Sequence, residues 1–301
     1  MSDPIRQHYV PRLYLRNFAF TKNNSLKIYA IEKSSKKIFE SNIENIAVEK
    51  DFYTVNRLSD KYAWEKFYAN SVEPEMNKLI KSIIAKDATC LLAENSIVLN
   101  NEEKWMMANC LVFQMMRSIN LRSYEEKLFE DIAPTILTQV SEEFNEKGNI
   151  ELAQKVNQIS LDENIFKSVA LNITIDEERI NKYASILYNK SWVFYHISGE
   201  RKFITSDNPI MILNGNTLDA TPLKNGIGQD TTMVCFPISS KLLLVIYSYN
   251  RYLGTIKDFD KRRNVIDSDQ DSRFIDMQNT LQYKQCYKFA ISRDRDALNR
   301  L

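Results

Sequence analysis

Apolar positions along this chain repeat with two different periods. Leu26 to Ile31 alternates like a half-buried strand, and Lys36 to Glu40 follows as its hairpin partner, with the charged stretch Glu32 to Lys37 as the tip. Ahead of it, Tyr14, Leu15 and Phe18 share one face behind His8-Tyr9-Val10-Pro11. That spacing predicts a short helix over 11–17 opened by the proline, and Thr21 to Ser25 reads as a turn. Asn45-Ile46-Ala47 and Phe52 to Val55 predict a further turn and strand.

From Ala63 the period becomes helical. Pro74 should start or kink a helix. Asn100 or Asn101 caps a stretch that is apolar nearly all round from Trp105 to Ile119, which predicts a central helix. Leu121 to Lys147 is helical, kinked near Pro134 and stopped at Gly148. Segments 152–156, 164–171 and 176–189 continue the pattern, with Asp162 and Asp176 as caps. After Lys190 alternation returns at Trp192 to Ile197, Lys202 to Ser206, Met233 to Pro237 and Lys241 to Tyr247. A helix capped by Asp267 or Ser268 runs to about Gln282, and Tyr287 to Ser292 closes as a strand.

Strands, then helices, then strands predict an α+β fold. We expect one domain over 1–301: an N-terminal β part (1–60), a helical insertion (61–190) and a C-terminal β part (191–301), with the early strands joining a late mixed or antiparallel sheet. A separate helical domain flanked by two β parts is the competing arrangement.

Residues 202–213 stand out. Two apolar runs flank the polar knot Thr205-Ser206-Asp207-Asn208-Pro209. Asx side chains cap their own backbone, and Pro209 pushes Asn208 towards an extended conformation, so a carboxylate and an amide should sit at the end of a buried strand.

Composition narrows the function classes. Forty basic and thirty-nine acidic residues give a formal net charge of +1, which removes any bulk-charge argument for nucleic acid or membrane. Six glycines leave little material for a glycine-lined cofactor cradle, and no cofactor is indicated. The longest apolar stretch, Met106 to Met116, is too short to span a bilayer and is broken by Asn109 and Gln114. The polar start and the scattered Cys90, Cys110, Cys235 and Cys286 lead us to expect a soluble cytoplasmic protein with reduced thiols and no membrane partner.

The segment His8-Tyr9-Val10-Pro11-Arg12-Leu13-Tyr14-Leu15-Arg16-Asn17-Phe18 resembles the opening of a large, mainly bacterial family of "domain of unknown function" proteins. The likeness continues through Leu26 to Ile31, Ile46-Ala47, Asp51-Phe52-Tyr53, Gln114 with Arg117, Phe203 to Pro209 and Phe236 to Ser239. Ser240 departs from it, standing where the pattern has proline. The resemblance implies that both ends and the central helix belong to one domain, and carries no chemistry.

Polar groups in apolar settings supply the candidate chemistry, because a buried charge must find a partner or a ligand. His8 and Asp207 are the candidate catalytic pair, and Arg16, Gln114, Arg117 and Asn208 the candidate phosphate-binding groups. Guanidiniums grip phosphate with forked donors, and histidine titrates near neutrality. Together they predict a phosphate-directed enzyme acting on nucleic acid or a nucleotide, a nuclease-like effector in a bacterial defence setting. The alternative is a non-catalytic sensor or partner-binding protein in which an Arg–Asp bridge and a backbone-bonded histidine hold the termini to the helical middle. No metal is expected: His8 and His196 are not spaced as ligands, and Asp207 with Asp219 or Asp230 is a weaker option. Lys257 to Arg263 mixes both signs and reads as a solvated loop.

Overall fold

The chain begins with two small β units. Arg6–His8 (β1) pairs antiparallel with Val48–Lys50 (β5). Between them lie the helix Arg12–Leu15 (α1), prolonged by a 3-10 turn over Arg16–Phe18, and the strands Phe20–Lys22 (β2), Ser25–Glu32 (β3) and Ile38–Asn42 (β4). The coordinates are a computed structural model that describes residues 5–56, 58–89, 96–219, 225–248 and 259–301. The expected turn at Thr21 to Ser25 is tighter than its composition suggested. Lys22 pairs with Ser25, and Asn23 and Asn24 both take positive φ (50° and 57°), the two-residue geometry that matches strand twist. Phe52 to Val55 is not a strand. Asp51 at φ 53° turns the chain, and the Tyr53 amide is taken by Gln7 Oε1 at 2.5 Å instead of a neighbouring strand.

The helical middle comprises Ala63–Phe67 (α2), Glu73–Thr89 (α3), Asn101–Met116 (α4), Ile119–Glu146 (α5), Ile150–Asn157 (α6), Glu163–Ile173 (α7) and Glu177–Tyr188 (α8). Tyr68–Val72, between α2 and α3, is a turn of π-helix. Pro74 explains its place: proline brings no N–H to the preceding turn, and a wider turn keeps its ring clear of the carbonyls behind it. Asn100 and Glu103 form a reciprocal capping box on α4, while Asp162 and Asp176 cap α7 and α8. The greasy central helix stops at Met116, short of Ile119, because Ser118 turns outward and caps α5 instead. Helix α5 runs on through Pro134.

The C-terminal part holds Ser191–Ser198 (β6), Thr205–Ser206 (β7), Met211–Asn214 (β8), Thr232–Pro237 (β9), Leu242–Tyr247 (β10), Arg262–Asp267 (β11), Ser272–Gln285 (α9), Phe289–Ser292 (β12) and Arg295–Asn299 (α10). One sheet has the order β11-β6-β10-β9-β8, antiparallel except for the parallel β11–β6 pair. Strand β11 falls where the sequence suggested a solvated loop; Lys257 and Asp258 themselves lie outside the described residues, as does Cys90.

A second sheet, β2-β3-β12-β7 with β4 on β3, joins the two ends of the chain. Ile291 faces Ala30 and Thr205 on its two sides. The early strands therefore meet the late chain as expected, in an α+β fold. One continuous apolar cluster runs from Val10 and Tyr14 through Ile80, Leu111 and Leu187 to Trp192, Leu244 and Ile291.

Candidate functional site

The N-terminal segment does reach the polar knot. The Tyr14 hydroxyl donates to Pro237 O at 2.7 Å and lies 2.6 Å from Thr205 Oγ1. Asp207 is 2% exposed, and its carboxylate accepts the amides of Tyr287, Lys288 and Phe289 at 2.7–2.8 Å. It thus caps the entry to β12. Burial lifts its pKa to about 6, against the pull of those three amides.

The irregular backbone around the knot is satisfied by one face of α9. Asn279 bonds Ile204 N and Lys202 O, Gln282 bonds Ser206 Oγ and Asn208 O, and Gln285 bonds Ile212 O. Asn208 donates its side-chain amide to Gln285 O at 3.1 Å. The short strand β7 survives inside the molecule because these side chains replace the ladder bonds it lacks.

Arg117 forms a separate centre. Its guanidinium, fully buried, donates to Gln114 Oε1 at 2.7 and 2.9 Å and to Glu73 Oε1 at 3.0 Å, and lies 5.0 Å from the Tyr68 ring centre. Gln114 in turn donates to Tyr9 O at 3.1 Å. His8 ends β1 half-buried. Burial and the nearby Arg12 hold its pKa down to about 4, and its Nε2 has no hydrogen-bond partner. Arg16 is exposed.

The six candidate residues therefore do not converge. Gln114 and Arg117 belong together, as do Asp207 and Asn208, but each pair is closed by local partners: Glu73 for the first, the 287–289 amides for the second. His8 and Arg16 join neither. Among the described residues no group of three or more His, Cys, Asp or Glu side chains could hold a metal ion. No helix among them is long and apolar enough to cross a membrane.

Two polar arrangements escaped the sequence reading. In the first, Asp87 from α3 reaches the β6–β11 edge, with Oδ2 2.8 Å from His196 Nδ1 and Oδ1 accepting Arg263 Nε at 2.6 Å. Burial raises the Asp87 carboxyl, but the bonds from His196 and Arg263 outweigh it and hold the pKa below the usual range. Asp87 is over a hundred positions from both partners, and no local pattern announces them.

The second is an open polar cavity of about 330 Å³ between the β5 end, the start of α2 and the side of α7. Lys50, Lys61 and Lys167 line it with Asn56, Asn164, Thr54 and Tyr62, and Asp51 is the one acid among them. Lys167, half-buried, donates to Asp51 O at 2.7 Å. Burial, and then Arg122, pushes its ammonium below the usual lysine range. The Asp51 carboxylate accepts the Thr54 hydroxyl at 3.2 Å, and Lys61 lies 4.7 Å from the Tyr62 ring centre. The sequence signal was the i, i+3 pair Asn164 and Lys167 on one helix face, legible only once α7 is laid beside Asp51.

No curated protein and no solved structure matches the chain. A family model described as "Protein of unknown function (DUF4238)" matches residues 6–296.

Proposed function

Since the chain belongs to the DUF4238 family, whose description assigns no activity, we propose from its geometry that the protein binds a phosphate-bearing ligand at the cavity lined by Lys50, Lys61 and Lys167 and does no chemistry on it. One observation carries this reading. Lys50, Lys61 and Lys167 line a cavity of about 330 Å³ in which Asp51 is the one acid among the lining residues, near the lower end of small-ligand pockets. Lys167 sits half-buried there with a pKa lowered by burial and by Arg122, and an anion would relieve both. Amides and hydroxyls of Asn56, Asn164, Thr54 and Tyr62 supply neutral partners for phosphate oxygens or a sugar. A nucleotide or the end of a nucleic-acid strand has this chemistry. A catalytic centre of His8, Arg16, Arg117 and Asp207 is the less favoured reading, because Arg117 bonds Glu73 and Gln114 while Asp207 accepts the 287–289 amides.

The test is calorimetric titration with pyrophosphate, ADP, ATP and a short oligonucleotide at two salt concentrations. The expected result is binding that weakens with salt. Lys61→Met and Lys167→Met should each weaken it roughly tenfold, as loss of a charge-assisted bond does. Binding indifferent to both substitutions, or none at millimolar ligand, would overturn the proposal.

A further inference from the structure

A second cavity lies on the far side of the π-helical turn. Val72 and Phe67 on one side and Trp105, Met106 and Phe113 of α4 on the other enclose about 360 Å³, with Cys110 on its wall. Its walls contrast with the lysine cavity's: three aromatic rings, aliphatic and sulfur groups, the neutral Ser71 and Asn109, and one ionised side chain, Glu75. Glu75 is exposed at the rim and has no ion-pair partner among the described residues. It is close enough to act on the Cys110 thiol, which burial first and the Glu75 charge second push up to about 12. The nearest buried cation, Arg117, is already committed to Glu73 and Gln114 behind Tyr68. Val72 ends the π-helical turn and Glu75 lies in the first turn of α3, both on this face.

We propose that this cavity binds a small organic cation: an aromatic or aliphatic body with an ammonium head. Charge complementarity selects that class. A cation gains the Glu75 carboxylate that a purely apolar ligand would leave to water, and an anion would be repelled. A quaternary or primary ammonium meets the carboxylate at the rim while its substituents lie on the faces of Trp105, Phe67 and Phe113, surfaces that attract cations. Trp105 is 37% exposed, and its edge-to-face contact with Tyr188 at 5.7 Å fixes the indole as one wall. The site is separate from the lysine cavity, and its ligand carries the opposite charge, so either can fail without the other.

The test uses benzyltrimethylammonium and its neutral isostere neopentylbenzene, in which carbon replaces the charged nitrogen. Methyl-labelled methionine and the indole signals of the full chain are followed by NMR, and affinity is measured by titration. The expected result is saturable binding of the cation that perturbs Met106 and Trp105, with the neutral isostere several-fold weaker. Glu75→Gln, at an exposed position, should keep the fold and reduce cation affinity about twofold to fivefold, leaving the neutral compound unchanged. Ser71→Trp, which fills the rim, should abolish both. Equal affinities unaffected by Glu75→Gln would overturn the proposal, as would no perturbation of Met106 or Trp105 at millimolar cation. So would a self-associated chain that covers Trp105.

Discussion

Two polar regions of this molecule use charge in opposite ways. Asp207 and Arg117 are closed off by local partners: three backbone amides for the carboxylate, Glu73 and Gln114 for the guanidinium. Lys50, Lys61 and Lys167 line an open cavity in which Asp51 is the one acid among the lining residues. Burial alone therefore does not mark a functional group. A buried charge with a complete set of partners builds the fold, and a charge that lines an open cavity is what a ligand can use.

The sharpest way to break this contrast is Arg117→Met. It leaves Glu73 facing an apolar side chain and Gln114 half-satisfied, so denaturant unfolding should show a loss of about 3–5 kcal/mol. A loss below about 1 kcal/mol would mean the guanidinium is not structural. Asp207→Ala comes next. It strips three amides of their acceptor, and about 3 kcal/mol should go at pH 4, read in the same experiment.

A pH series sharpens the comparison further. The folded-state pKa of Asp207 is raised to about 6 by burial, so the stability this group contributes is fully present below about pH 4 and is lost as pH rises through 6. The difference between the parent protein and Asp207→Ala should narrow by up to about 3 kcal/mol over that window. His8 works the other way. Its pKa, lowered to about 4, means that its contribution is present above about pH 6.5 and lost as pH falls towards 4. Relative to His8→Gln, the parent should weaken in acid. Identical pH profiles for parent and variants would refute both assignments. The smallest effect belongs to the open region: Lys61→Met should change stability by less than about 0.5 kcal/mol, so that any loss of ligand binding is a loss of contact alone.

The sequence disclosed what local chemistry decides. Asp162, Asp176 and Asn100 announce their helices, and the alternation at 26–31 and 192–197 is that of real strands. It also showed which side chains were out of place in apolar surroundings. It could not show their partners. Arg263 looked like part of a charged loop, yet it lies 1% exposed in β11 because Asp87, 176 residues away, meets it. Phe52 to Val55 had strand composition, but the Gln7 side chain took the amide that a ladder would have used. The lysine cavity joins residues 50–62 to 164–167, and no window of sequence contains both.

Strand β12 lies between β3 and β7. During synthesis, then, the hairpin of β3 and β4 leaves the ribosome with one flank open, and its neighbour emerges only after more than two hundred further residues. At ordinary translation speeds that wait is tens of seconds. A nascent chain halted before Tyr287 would carry an unzipped β3 and an Asp207 carboxylate with none of its three amides to accept, so quality-control proteases and chaperones would meet it as an unfinished protein rather than a shortened one.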